Sequence, residues 1–467
     1  MRLSLIGLFT CFILLGYGQN LKLSLANAVN KLQADEQFRH AIITMVVIDA
    51  RSGDIVFEKN GEVGMVPASC QKVVTSVAAF DILGKDFVYK TVLAYDGEIR
   101  NKTLNGSLYL LGSGDPTIGS WRWKQTKEEI ILDKITSAII KKDIQRISVG
   151  FFGYTTKWET NTIPDGWVWE DIGNYYGAGA AGLNWRENQY DLLLKSSSTP
   201  GSPVSIRSIK PVMQNVELVN ELRTGEKGSG DNAYIYLPPY AIKGYLRGTI
   251  PPAQNNFLVA GSFPDPTLQL MNTFAMALKN KNIDCLKTSP YKDDEKGSVP
   301  LSNLTPLLTI ESPTLDSINY WFLKKSINLY GEAFVKTIAY KQSQVGATDT
   351  GIAIIKDFWS KRGIEKSSLH ILDGSGLSPA NRITASALVT VMQYARKQPW
   401  FASFYAALPD MNGIKMKDGY IGGVRSYTGY IQSKAGLDYT FSFLVNNFDG
   451  SATAVREKMW KVLDLLK

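Results

Sequence analysis

A chain of 467 residues, 44% hydrophobic and 20% charged, has the makeup of a globular protein with room for two or three domains. Its net charge of +8 suits anionic surfaces such as cell wall or lipid headgroups, but the basic residues form no long run, which argues against a nucleic-acid partner. Two histidines supply a Ser-His-Asp triad or a zinc site poorly, so a nucleophile here looks to another base, and lysine is the natural candidate.

The N-terminus stands apart. Arg2, an apolar run from Leu3 to Leu15 and then Gly16-Tyr17-Gly18-Gln19 read as a secretory signal peptide, residues 1–18, cleaved after Gly18. The expected product is an exported, periplasmic protein. Cys11 follows Phe9-Thr10, a poor lipoprotein signal. Cys70 and Cys285 then remain, and one possible bridge is no disulfide framework. No later run has the length and apolarity of a membrane span.

Residues Leu21 to Phe38 read as a helix, and Ile42–Ile48 with Ile55–Phe57 as a hairpin around a glycine-containing turn. Pro67 then opens a helix running to about Leu83. From Tyr89 to about Pro290 short strands such as Thr91–Ala94, Ser107–Leu111 and Ile147–Gly150 alternate with turns, as inserted β-rich material would. The aromatic cluster from Trp167 to Tyr190 reads as core in preference to a glycan platform. Helical patterns return at Leu315–Tyr340, Thr348–Arg362 and Thr384–Arg396. A hairpin over Met416–Gln432, a strand Thr440–Val445 and a helix Ala452–Leu466 close the chain. That helix carries Val455, Met459, Val462, Leu463 and Leu466 on one side. A core-packing role is favoured over membrane attachment, because its other face is not strongly basic.

Three short patterns carry chemistry. In Ser69-Cys70-Gln71-Lys72 the serine and lysine share a helix face, and a desolvated lysine can lose its proton and activate a hydroxyl. Cys70, the next residue round the helix, points about 100° away and reads as a small buried residue. In Ser326-Ile327-Asn328 the hydroxyl can relay a proton, and the amide can hold a substrate peptide group by donor and acceptor together. In Lys417-Asp418-Gly419-Tyr420, on a predicted strand, the edge offers backbone groups to an extended peptide and the lysine offers positive charge. Each pattern alone is weak, with a helix turn, a cap and a solvated strand as the plain alternatives.

Their order and surroundings resemble the class C low-molecular-weight penicillin-binding proteins, the D-alanyl-D-alanine carboxypeptidase/endopeptidases. Pro67-Ala-Ser-x-x-Lys72-x-x-Thr75, Leu110-Leu-Gly-Ser-Gly-Asp-Pro116, Lys324-Lys-Ser-Ile-Asn-Leu-Tyr-Gly-Glu332, Leu372-Asp-Gly-Ser-Gly-Leu-Ser378 with Asn381-Arg382, Gly429-Tyr430, and Phe441-Ser-Phe-Leu-Val-Asn446 are similar to blocks of that family. The resemblance implies an α/β fold: a penicillin-recognising transpeptidase-like domain, residues 21–88 and 291–467, with helices flanking an antiparallel sheet. Inserted β-rich domains would cover 89–160 with 240–290, and 161–239 nested within. It implies Ser69 as acylated nucleophile, Lys72 as base, Ser326 as relay with help from Lys72 and Lys417, and Asn328 holding the substrate amide. The backbone N–H groups of Ser69 and Tyr420 would form an oxyanion hole, each donor worth roughly 3–4 kcal/mol. Peptidoglycan stem peptides and β-lactams would be the partners, with no metal or other cofactor.

The third box departs from the family's usual Lys-Thr-Gly-Thr. Asp418 and Tyr420 replace both hydroxyls that would greet a substrate's terminal carboxylate. An ionised Asp418 at about 4 Å from that carboxylate would repel it by about 4 kcal/mol at an effective dielectric near 20. Arg425 is a candidate counter-cation: a two-residue turn at Gly422-Gly423 would pair it with Tyr420, diagonal to Asp418. The substrate-binding set is therefore Asp418, Gly419, Tyr420 and Arg425. A non-catalytic peptidoglycan-binding relative and a hydrolase of other D-amino-acid peptides or esters are the alternatives. The five intact residues Ser69, Lys72, Ser326, Asn328 and Lys417 favour an enzyme.

Overall fold

The computed structural model describes residues 20–291 and 300–467; the expected leader, with Cys11 and the cleavage point after Gly18, lies outside them. The chain forms two compact units. One takes the N-terminal residues to Ile82, Asn319–Ser326 and Ile355–Lys467; the other takes Leu83–Ile318 and Ile327–Ile354.

The first unit is built on a six-stranded antiparallel sheet. Its strands are β1 (Ile42–Asp49), β2 (Ile55–Lys59), β3 (Asp410–Met411), β4 (Ile414–Ile421), β5 (Val424–Gln432) and β6 (Asp438–Asn446), in the order β2-β1-β6-β5-β4-β3. Strand β1 pairs with β6 from Ile42↔Asn446 to Asp49↔Tyr439, so the first and last strands of the unit lie side by side. Both faces of the sheet are covered. Ile43, Met45, Val47, Phe441 and Phe443 pack with Leu25 and Val29 of the helix over residues 20–33 and with Val455 and Met459 of the helix Ala452–Leu463. Each such buried apolar side chain contributes roughly 1.5–3 kcal/mol. On the other face the Tyr430 hydroxyl donates to the Met392 carbonyl (2.6 Å) and the Thr440 hydroxyl to Gln393 (3.0 Å), both on the helix Ala385–Arg396.

The apolar stripe of the closing helix is thus core, as its weak basic face suggested. Among the described residues no helix is long and apolar enough to cross a membrane. The first helix stops at residue 33, short of Phe38. There the Asp35 carboxylate accepts the Gln37 N–H and starts a separate 3-10 turn, Glu36–Phe38. The pattern at Leu315–Tyr340 is two helices, Leu315–Lys324 and Asn328–Ser343, because Ser326 adopts φ +56° and breaks the α path between them.

The second unit is rich in short strands. One five-stranded sheet runs Thr288–Pro290, Gly150–Tyr154, Ser107–Leu111, Lys90–Tyr95 and Thr305–Glu311. The run expected as one strand at Ile147–Gly150 is split between Arg146–Ile147 and Gly150–Tyr154, in different sheets. Of the aromatic cluster, Trp167, Trp185 and Tyr190 are buried, whereas Trp169 and Tyr175 are exposed. The helix Asn328–Ser343 belongs to this unit. Its Tyr330 hydroxyl donates to the fully buried Glu187 (2.6 Å), and its Lys336 ammonium donates to the carbonyls of Asn161 and Ala180. These polar anchors hold it there more specifically than apolar packing would.

Candidate active site

Pro67 leads into a 3-10 turn, Ala68–Gln71, which passes directly into the helix Lys72–Leu83. The turn places Ser69 and Lys72 on one side, as the three-residue spacing requires, and Lys72 Nζ is hydrogen-bonded to Ser69 Oγ at 2.9 Å. Lys72 is fully shielded from solvent, and its Nζ also donates to the Ser375 carbonyl at 2.7 Å. The Phe322 ring centroid lies 5.9 Å from Nζ and closes another side. Ser69 itself is half-buried and remains reachable. Ala68 sits at φ +45°, a conformation costly for a residue with a side chain, immediately before the nucleophile.

The loop Asp373-Gly-Ser-Gly376 supports this arrangement. The Asp373 carboxylate, fully buried, accepts the N–H groups of Gly376 (2.9 Å) and Ser378 (2.8 Å) and the Asn381 amide (2.9 Å). The Gln71 amide donates to the same carboxylate (2.7 Å), and the Thr75 hydroxyl donates to the Gly374 carbonyl (2.7 Å). The loop is thereby fastened to the nucleophile helix at two points, which aims the Ser375 carbonyl at Lys72. Gly376 has φ +82°, and a Cβ there would lie 2.0 Å from the Ala68 carbonyl oxygen, so only glycine fits against the turn. From sequence this block was a family signature without a role; nothing local in Asp-Gly-Ser-Gly announces a seat for a lysine far upstream.

Strand β4 brings the third box to the nucleophile turn. An ideal Cβ on Gly419 would lie 2.9 Å from the Ser69 nitrogen and 2.5 Å from the Pro67 carbonyl oxygen, so the strand backbone abuts the turn. The Met416 N–H donates to Pro409 on the side away from β5 (3.1 Å). Backbone groups alternate in direction along an antiparallel strand, so the N–H groups of Asp418 and Tyr420 point to that same side, the free edge of β4. An extended peptide can pair there, and the Tyr420 N–H is available beside that of Ser69 as an oxyanion donor.

The charged groups of this box differ from expectation. Arg425 does pair with Tyr420, and Ile421 with Val424, as a turn at Gly422-Gly423 dictates. Yet the direct partner of Asp418 is Lys417. The Lys417 ammonium, almost fully buried, donates to the Asp418 carboxylate at 2.9 Å and to the Asp418 backbone carbonyl at 2.7 Å. Neighbours on a strand start on opposite faces, but a lysine stem is long enough to curl over the edge. The Arg425 guanidinium donates instead to the Tyr427 hydroxyl (3.0 Å) and lies 5.4 Å from the Tyr420 ring centroid. Burial raises the Asp418 pKa, but the Lys417 charge and hydrogen bond, with the Arg425 charge, outweigh it and hold the carboxyl below its ordinary value.

Ser326 occupies the left-handed turn that ends the segment Asn319–Ser326 of the first unit. That segment adjoins the nucleophile helix: the Ser76 hydroxyl donates to the Asn319 side chain at 2.7 Å. Asn328 opens the long helix of the second unit, where its amide donates to the Tyr176 carbonyl (2.7 Å), fixing which way the side chain faces. Cys70 is fully buried, its thiol donates to the Lys417 carbonyl (3.2 Å), and burial pushes its pKa up to about 12. The native protein should therefore resist iodoacetamide at Cys70 at pH 8 and accept it there once unfolded, as read by peptide mass spectrometry. Native-state labelling at wild-type stability would show that the thiol is not sealed under the strand.

The D-Ala-D-Ala carboxypeptidase 3 (S13) family matches residues 25–413, a span that ends just before Lys417. The D-alanyl-D-alanine carboxypeptidase of Actinomadura sp. (strain R39) is 25% identical over 452 residues, covering 91% of this chain and 81% of the relative. The D-alanyl-D-alanine carboxypeptidase DacB of Haemophilus influenzae is 22% identical over 369 residues, covering 76% of this chain and 71% of the relative. The crystal structure of penicillin-binding protein 4 (dacB) from Haemophilus influenzae superposes with a TM-score of 0.79 at 19% identity, over 95% of this chain and 99% of that one. Its complex with a β-lactam superposes with a TM-score of 0.74 at 18% identity, with the same coverage of both chains. The fold is that of the penicillin-recognising serine enzymes, and the chain belongs to the D-Ala-D-Ala carboxypeptidase 3 (S13) family.

Proposed function

We propose that this chain is an exported, periplasmic serine enzyme that cleaves D-alanyl peptide bonds of peptidoglycan stem peptides through an acyl-enzyme, and that β-lactams acylate it at the same serine. The observation that carries the reading is the 2.9 Å contact between the Nζ of a fully buried Lys72 and Ser69 Oγ. The apolar leader at Leu3–Leu15 supports export, and the net charge of +8 suits an anionic cell-wall substrate.

In the acylation step Ser69 Oγ attacks the carbonyl carbon of the scissile D-alanyl bond while its proton passes to neutral Lys72. The oxyanion meets the backbone N–H groups of Ser69 and Tyr420. The carbon–nitrogen bond then breaks, and the proton reaches the leaving amine from Lys72 through Ser326, while Asn328 holds the acyl-side amide. Water attacks the resulting ester, gives its proton to Lys72, and releases the peptide carboxylate. Ser69 recovers a proton from Lys72, so the balance is one water consumed per bond cleaved. A β-lactam follows the first half, but its leaving amine stays attached to the acyl group.

The test is intact mass after prolonged incubation of the mature protein with a fluorescent penicillin, beside Ser69→Ala. One adduct per wild-type chain, absent from Ser69→Ala, is expected. No adduct on the wild type or on Asp418→Thr would overturn the acyl-enzyme reading.

A further inference from the structure

We propose that Asp418 is a specificity-determining residue that turns this site away from leaving groups with a carboxylate beside the scissile nitrogen. The favoured substrate is then a D-alanyl amide whose leaving amine carries no adjacent negative charge. A cross-link to a side-chain amine, or to a residue with an amidated carboxyl, has that chemistry; a terminal D-Ala-D-Ala does not. The inference rests on the acyl-enzyme reading and names the substrate class of the same site.

The geometry of β4 carries the argument. A substrate carbonyl seated at the Tyr420 N–H lies along the free edge of the strand, with Asp418 two residues away, roughly 7 Å along it. A carboxylate on the leaving residue is separated from the scissile carbonyl carbon by only a nitrogen and one carbon. It therefore comes within a few ångströms of the edge between positions 418 and 420. Lys417 is the cation placed to receive an anion there, but its ammonium already donates to the Asp418 carboxylate (2.9 Å) and the Asp418 carbonyl (2.7 Å). An incoming carboxylate meets an ammonium whose charge the Asp418 carboxylate already neutralises. The internal carboxylate takes the place that a substrate carboxylate would fill.

Among the described residues, the other cation of the box does not restore the attraction. Arg425 pairs with Tyr420, and its guanidinium is engaged by the Tyr427 hydroxyl and lies 5.4 Å and 5.6 Å from the rings of Tyr420 and Tyr427. Side-chain alternation puts Arg425 on the face of Asp418 and Tyr420, away from Lys417 and Gly419, where its charge already acts on the Asp418 carboxylate. Tyr420, 52% exposed, presents a ring where a hydroxyl-bearing short side chain would leave a polar seat. A neutral or bulky leaving group suffers neither repulsion nor the loss of a charge partner. The ionised Asp418 also keeps its partner through neutral pH, since its pKa lies below the ordinary carboxylate value.

The experiment compares kcat/KM for a diacyl-L-Lys-D-Ala-D-Ala peptide with that for the same peptide ending in a carboxamide, on wild type, Asp418→Thr and Asp418→Asn. Wild type should prefer the carboxamide by about tenfold or more, and Asp418→Thr should shift the ratio toward the free acid by at least about tenfold. Asp418→Asn keeps the side-chain shape and should shift the ratio in the same direction, which covers the case in which threonine disturbs the strand. A wild-type preference for the free acid, or a ratio unchanged in both variants, would overturn the inference. Loss of turnover of both peptides in Ser69→Ala, with turnover in the wild type, keeps that outcome separate from failure of the acyl-enzyme reading.

Discussion

Replacing Lys72 with methionine is expected to slow acylation of Ser69 by about 10²–10⁴-fold, the range typical of a lost general base. The Ser69 hydroxyl has Lys72 Nζ at 2.9 Å, and the two histidines of the chain take no part in the turn around it. His40 precedes the first strand and His370 lies on the short strand Leu369–His370. Methionine approximates the lysine stem in volume and suits the buried position, so the fold should survive. The stability change combines two opposed effects. The Ser375 carbonyl loses its 2.7 Å donor, which costs about 1–3 kcal/mol, while removal of a wholly buried amine lifts a desolvation penalty. A melting curve close to wild type together with failed acylation, followed by intact mass against time, is the expected pair of results. Lys72→Arg should fail as well, because a guanidinium does not give up its proton in this range. Acylation by Lys72→Met within tenfold of wild type would remove lysine from the role of base.

Much of this site is legible in the sequence because it rests on short-range geometry. Ser69 and Lys72 meet because three residues make one turn, and Arg425 faces Tyr420 because a two-residue hairpin leaves no other register. The stripe of Val455, Met459 and Val462 is core for the same kind of reason. What is not legible depends on side-chain reach or on segments far apart. Alternation along a strand predicts that Lys417 and Asp418 face apart, and only the curl of the lysine over the edge brings their charges to 2.9 Å. The first turn was legible as helix but not as 3-10, and the φ of +45° at Ala68 shows only in the fold, where a loop some 300 positions on brings Gly376 so close to the Ala68 carbonyl that a side chain there would clash. The break at Ser326 is also tertiary: the helical pattern runs through it, and the left-handed residue shows only in the fold.

Gly419→Val should cost as much activity as losing an oxyanion donor, roughly 10²–10³-fold in the acylation rate. The reason is contact and not backbone freedom, since Gly419 is absent from the positive-φ residues and the strand there is regular. A Cβ at this position would lie 2.3 Å from Ser426 Oγ, 2.5 Å from the Pro67 carbonyl oxygen and 2.9 Å from the Ser69 nitrogen. Ser426 could rotate, but it would give up its 2.6 Å bond to that same Pro67 carbonyl. The other two atoms are backbone and cannot yield alone. Strand and turn must part, and the N–H groups of Ser69 and Tyr420 then no longer converge on one oxygen. Overpacking of this kind also destabilises by about 1–3 kcal/mol, so a modest fall in melting temperature should accompany the loss. Gly419→Ala carries the same Cβ and should show most of the effect, which separates a clash at the first carbon from a blocked cleft. An alanine variant that acylates at the wild-type rate would mean that the strand can withdraw without moving its oxyanion donor, and Tyr420 would then lose its assignment to the hole.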